Sequence, residues 1–320
     1  MMSMELVHDG TLFMFSIAAV LGNSCILWVA WRYPEMRKQD GTLVIACLAA
    51  ADFSLGASCS FLAGKRLLTF VLGPATNSVA FCLFIIEPFF VTNFWTQWGM
   101  LGIAGDRLWA LAAPTHYFTA NRTRITILFV AAAAVLGLVE GAASMIGVDV
   151  HKLTVARCLG PAMGLPPLWR HSFRVKMLAN GTLVMAIYAA MLVLLLRGAF
   201  HSLHAAAKQR AKKVTATLLP VLAGYAVCSF LPNAVYTVIM STAPEHVVKQ
   251  FSPFIPLGSV LNSSINVVIY VVKNEVFRRC CRRMLGLAAV EPTNYVAPQA
   301  ANTPHPRGHQ LNTINVQPYR

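Results

Sequence analysis

The residues best placed to do chemistry are polar groups standing inside apolar runs. Asp52 sits in the middle of one run, Asn23 midway along an earlier one, and Thr92 and Thr96 one helical turn apart on a later one. Asn262, Ser263 and Asn266 form a second polar knot further along. Each such group is costly in an apolar medium and needs a partner. An ionised Asp52 could find its partners in Asn23, Thr96, Asn262, Ser263 and Asn266, closing a shell around a small cation such as Na⁺. The alternative is a set of unrelated hydrogen bonds between helices. Glu87, just before Pro88, is expected at the mouth of the bundle, and the sequence offers no partner for Glu140. Catalytic sets are missing: there is no His-Glu-x-x-His, no Gly-x-Ser-x-Gly, and most of the nine histidines lie outside the apolar runs. A membrane enzyme is therefore not expected.

The elements that must position these groups follow from composition. The 320 residues are 57% hydrophobic and only 12% charged, with a mean hydropathy of +0.59. A soluble domain carries about 25% charge. Runs long enough to cross a ~30 Å hydrocarbon core fall at about 11–31, 42–64, 78–105, 125–147, 177–197, 214–240 and 253–272. Lipid offers no partner for a backbone amide, so each run closes its hydrogen bonds as a helix. The expected fold is an all-α membrane protein, a seven-transmembrane helix bundle. The first run has no basic flank and no small-residue cleavage site, which marks a retained span rather than a signal peptide.

Charge sets the orientation. With the N-terminus outside, 18 Lys and Arg fall on the inner side and 8 on the outer side, the bias expected of cytoplasmic segments. That bias also accounts for the net charge of +14, through anionic headgroups rather than nucleic acid, since no aromatic-basic stripe or finger spacing accompanies it. The expected organisation is a short extracellular segment at 1–10 and the membrane bundle at 11–273. A membrane-surface amphipathic helix at 274–286 and a disordered, proline-rich cytoplasmic tail at 287–320 follow. No internal repeat supports a transporter of duplicated halves.

Cys25, Cys47, Cys59 and Cys228 lie in apolar runs and suit small core residues. Cys82 and Cys158 fall on the oxidising side, where a disulfide would tie the fourth connection across the bundle's mouth; two free thiols are the alternative. Cys280 and Cys281, flanked by Arg278, Arg279, Arg282 and Arg283, suit S-palmitoylation at the inner membrane surface.

Six motifs in order resemble the rhodopsin-like G-protein-coupled receptors. They are Gly22-Asn23; Leu48 to Asp52; Cys82 placed 25 residues before Arg107; Asp106-Arg107-Leu108 with Pro114 and Tyr117; Cys228-Ser229-Phe230-Leu231-Pro232; and Asn266-Val267-Val268-Ile269-Tyr270 followed by Phe277. The resemblance spans roughly residues 11–283, and the Gly-Asn opening, Asp-Arg-Leu box and short N-terminus are most similar to nematode serpentine chemoreceptors of the Srsx type. The family's tryptophan of the fourth run and its prolines of the fifth and seventh runs are missing.

The resemblance implies a plasma-membrane receptor that couples an extracellular ligand to a heterotrimeric G protein. Arg107 would be the switch, held at rest by Asp106 and released toward Tyr270. Relatives carry an acid at the inner end of the sixth run that holds this arginine; the matching residue here is Lys212. The ligand would lie among Phe89, Phe90, Asn93, Phe230, Asn233 and Tyr236, a mixture suited to a small, mostly apolar molecule. Phe89 replaces the acid of amine receptors, and Val260 replaces the retinal lysine of opsins. A neuropeptide is the other ligand class in view.

Overall fold

A chain that must satisfy every backbone amide inside hydrocarbon has little choice but long helices, and these dominate the computed structural model. It describes residues 2–37, 42–73, 77–113, 116–117, 120–146, 153–154, 167–196, 220–244, 247–248, 251 and 254–287. In chain order the helices are α1 (Met2–Arg32), α2 (Pro34–Arg37), α3 (Thr42–Leu72), α4 (Val79–Ala112), α5 (Arg122–Ser144), α6 (Pro167–Leu196), α7 (Pro220–Thr242), α8 (Phe254–Lys273) and α9 (Glu275–Met284). Seven of them, all but α2 and α9, are long and apolar enough to span a membrane. The seven-helix bundle read from the apolar runs is therefore the observed one. Two short strands, β1 (Asn77–Ser78) and β2 (Leu153–Thr154), pair antiparallel and bring the connection after α5 to the start of α4.

α1 begins at Met2, so residues 2–10, expected as a separate segment, continue the first helix, and Asp9 is already buried there. The tail from 288 onward lies outside the described residues. Small residues let the helices approach closely. The Gly137 and Gly141 positions of α5, four residues apart, press on Val91 and Glu87 of α4, where an added Cβ would lie 3.1 Å from the Val91 carbonyl oxygen and 2.5 Å from Glu87 Oε1. Gly56 of α3 meets the Ser16 carbonyl of α1 in the same way.

Proline and glycine shape α7 and α8 together. Pro232 has no N–H and its ring excludes the carbonyl four residues back, that of Cys228. The helix answers with a wider π turn over Ala226–Phe230. The Cys228 carbonyl then faces α8 where Gly258 stands, and a Cβ at Gly258 would sit 2.2 Å from that oxygen. α8 itself runs unbroken, and Val267, which follows Asn266, packs on Gly22 of α1.

Among the described residues three large apolar centres hold the helices together, beside a small one of Tyr236, Val248 and Ile255. One joins α1, α3 and α4 through Leu12, Leu55, Leu83 and Phe89. A second joins α4, α6, α7 and α8 through Met100, Val184, Tyr225 and Ile269. A third seats α9 against α1 and α3 through Ile26, Ala49, Phe277 and Cys280. Asn274 caps α9, its side chain accepting from the Phe277 N–H at 3.0 Å, so the expected amphipathic helix forms with Phe277 and Cys280 inward.

Gly258→Ala should push α7 and α8 apart and cost about 1–3 kcal/mol of overpacking, read as a lower thermal unfolding temperature in detergent. Gly105→Ala, where a Cβ meets nothing within 4 Å, should leave that temperature unchanged or higher.

Candidate functional site

The polar knot forms, though with fewer members than expected. Asp52 is fully buried on α3 and accepts from two residues of α8: Ser263 Oγ at 2.9 Å and Asn266 Nδ2 at 3.0 Å. Asn23 is buried on α1 but donates to the Ala19 carbonyl of its own helix at 2.9 Å, so it is no partner of Asp52. This is the usual competition between a side-chain amide and a local backbone acceptor. Thr96 and Asn262 are buried too, yet Thr96 Oγ1, Asn262 Oδ1 and Asn266 Oδ1 have no hydrogen-bond partner among the described residues.

A second network lies between α4 and α7. Tyr225 donates its hydroxyl to Gln97 Oε1 at 2.7 Å, and Gln97 Nε2 donates to Ser229 Oγ at 3.2 Å. All three are buried, and two of them flank or belong to the π turn. The sequence carried a signal here, an amide inside an apolar run, but without helix rotation it had no partner to name.

Near the α9 end of α4, Arg107 Nε lies 3.6 Å from Asp106 Oδ2, an ion pair without a hydrogen bond from that nitrogen. Tyr117 donates its hydroxyl to the same carboxylate oxygen at 3.2 Å. Tyr188 and Tyr270 are buried as well, and the Tyr188 hydroxyl has no hydrogen-bond partner among the described residues. Tyr188 was not singled out from the sequence. Lys212 lies outside the described residues.

The six expected ligand neighbours are packed side chains. Phe89 and Phe90 are buried with ring centroids 5.8 Å apart, and Phe90 meets Phe173 of α6 edge-on at 4.9 Å. Asn93 Nδ2 points at Met177 Sδ, 3.6 Å away, and Asn233 Nδ2 donates to the Ser229 carbonyl at 2.8 Å. Phe230 closes on Gly181, and Tyr236 packs with Val248 and Ile255.

Several charges lie elsewhere than expected. Glu87 turns toward α5, accepting from Ser144 Oγ at 2.9 Å, rather than toward an open mouth. Glu140 of α5 has a partner after all, Lys176 of α6. Arg66, counted with the outer loops, is buried within α3 and lies 3.4 Å from Asp9 of α1. Lys176 and Arg66 thus serve helix-to-helix pairing and not the loop charge bias.

Cys82 is disulfide-bonded, and its expected partner Cys158 lies outside the described residues. Cys25, Cys47, Cys59, Cys228, Cys280 and Cys281 are free thiols. Cys280 has no exposed surface, and Cys281 Sγ rests 3.9 Å from Cys25 Sγ of α1. Arg283 clamps α9 to α2 through both Glu35 oxygens at 2.9 Å. Cys280 is thus covered while α9 lies against α1 and α2, and Cys281 is partly covered.

Compared with known families, residues 22–270 match the 7 transmembrane receptor (rhodopsin family). The chain belongs to that family, a family of receptors and not of enzymes, and is a multi-pass membrane protein of the G-protein-coupled class. A search of curated proteins found no match.

Burial, and then the neighbouring Cys25, push the Cys281 thiol up to about 12. The thiolate is the reactive form and an ordinary cysteine ionises near 8.5. Alkylation of Cys281 at pH 7.4 should run at least tenfold slower than that of an exposed cysteine. It should accelerate when Arg283→Ala frees α9, as followed by peptide mass spectrometry.

Proposed function

We propose that this receptor sits in the plasma membrane with its N-terminus outside and senses a small, mostly apolar molecule. It passes that signal to a heterotrimeric G protein, in the manner of the nematode serpentine chemoreceptors it resembles. The observation that carries the reading is the Asp106–Arg107 pair, 3.6 Å apart, with Tyr117 donating to the same carboxylate oxygen. An ion pair of this kind contributes on the order of 1 kcal/mol. Losing it shifts a two-state equilibrium by less than about tenfold, so a modest difference in ligand affinity between the states suffices to turn the receptor on.

Ligand chemistry follows from what lines the helices. Phe89 offers no carboxylate to an amine and Val260 no amine to retinal, while Phe90, Asn93 and Asn233 offer ring faces and amides. A ligand entering there must displace side-chain contacts such as Asn93 to Met177. A calcium or cyclic-nucleotide reporter screen with volatile compounds, water-soluble compounds and a peptide library tests the class. A response confined to peptides would overturn it.

Lys212 stands where relatives place an acid, and two cations repel. Ligand-free signalling should be measurable, fall with Lys212→Glu, and vanish with Arg107→Ala at equal surface expression. Unchanged output in Arg107→Ala would remove that residue from the switch.

The knot at Asp52 suits a sodium ion. One carboxylate and the unpaired buried oxygens of Thr96, Asn262 and Asn266 are the hard oxygen donors such an ion takes. When bound, the ion would balance the Asp52 charge, leaving Ser263 and Asn266 to hold α3 to α8. Replacing choline chloride by NaCl at constant ionic strength should raise the thermal unfolding temperature of the purified receptor by a few degrees. Asp52→Asn should abolish the rise, and an equal rise in the variant would refute the site.

A further inference from the structure

Two cysteines 256 residues apart in the chain meet where α9 lies on α1. Cys25 stands in the first span, seven residues before its end at Arg32, and Cys281 lies in the last turn of α9. Their sulfurs are 3.9 Å apart, and both residues are partly exposed. Both are free thiols, whereas Cys82, in the first turn of α4, is bonded. The contact is held from several sides. Asn274 starts α9 by accepting from the Phe277 N–H at 3.0 Å, and Phe277 and Cys280 are buried against α1 and α3. Arg283 Nη1 donates to both Glu35 oxygens of α2 at 2.9 Å. These anchors decide which cysteine faces α1. Cys280 Sγ turns to Glu35 Oε2, 3.9 Å away, and its neighbour Cys281 takes the position against Cys25.

Two thiols in contact have a chemistry that one alone lacks, because a sulfenic acid formed on either is captured by the other. The oxidant is a peroxide, either hydrogen peroxide from water or a lipid hydroperoxide from the membrane. One sulfur attacks the peroxide, the O–O bond breaks, and the leaving oxygen departs with the thiol's proton as water or an alcohol. The second sulfur attacks the resulting sulfenic acid, the S–O bond breaks, and the hydroxyl leaves with the second thiol's proton as water. Two thiols are oxidised to one disulfide while one peroxide is reduced. Burial, and then Cys25, push the Cys281 thiol up to about 12, so direct oxidation at Cys281 is slow. Capture is fast, since a thiol already in contact acts at an effective concentration far above that of a free one. The sulfurs need only close from 3.9 Å to about 2.05 Å. Exchange with a free thiol reverses the link. We propose that Cys25 and Cys281 form a reversible, peroxide-driven disulfide that fastens α9 to α1. Its chemistry is independent of the ligand and of the G protein.

The full-length receptor in phosphatidylcholine nanodiscs, kept free of reductant, tests this. Hydrogen peroxide is added in one arm, and a phospholipid hydroperoxide is built into the disc in a second. Remaining thiols are blocked in denaturant, and unreduced peptides are read by mass spectrometry. A Cys25–Cys281 link is expected to rise at least about fivefold over untreated receptor and to vanish with dithiothreitol. The arm in which it forms names the source of the peroxide. The link should persist in Cys280→Ser, be lost in Cys25→Ser and Cys281→Ser, and form about threefold more slowly in Arg283→Ala. Hydrogen exchange of residues 275–284 should slow at least about threefold once the link is present. Linkage in neither arm, a link that Cys280 makes equally well, a link found only between two receptor molecules, or sulfinic acids in its place would overturn the proposal. So would unchanged exchange of α9 in the linked receptor. The parent receptor alone decides whether the link forms, even if a serine variant fails to fold.

Discussion

Hydrocarbon offers a polar atom no hydrogen bond, so one carried into the membrane is costly unless another part of the chain answers it. That requirement orders this bundle. Asp52 is answered by Ser263 and Asn266, which ties α3 to α8. Gln97 is answered by Tyr225 and Ser229, which ties α4 to α7. Glu140 takes Lys176 from α6, and Asp9 takes Arg66 from α3. Each pair fixes both the rotation and the axial shift of two helices, which apolar packing among lipid tails fixes less sharply.

The helix irregularities belong to the same scheme. Pro232 frees the Cys228 carbonyl, the π turn makes room for it, and Gly258 lets α8 close over it. α8 lacks the family's proline and runs unbroken, and among the described spans the widened turn lies in α7. The Tyr225–Gln97 bond joins α4 to the residue at the start of that turn. Buried networks of this kind are worth more together than bond by bond. The knot at Asp52 and the clasp at Gln97 thus restrain neighbouring helices from two sides.

Length and apolarity are sums along the chain and need no knowledge of rotation, so the seven spans could be read directly from the residues. The same holds for α9, whose Asn274 cap and basic, amphipathic pattern are local. The family motifs were legible because they are fixed spacings within single helices, and Asp52, Ser263 and Asn266 were legible because intramembrane polar groups are rare. Which polar atoms meet was a different matter. Asn23 turned to its own backbone, Glu87 to Ser144, and Gln97 to a tyrosine 128 residues away. Arg66 and Lys176 read as loop charges because hydropathy marks helix ends only within a turn or two. Such outcomes rest on the rotation and tilt of helices against one another, and only their packing in three dimensions decides those.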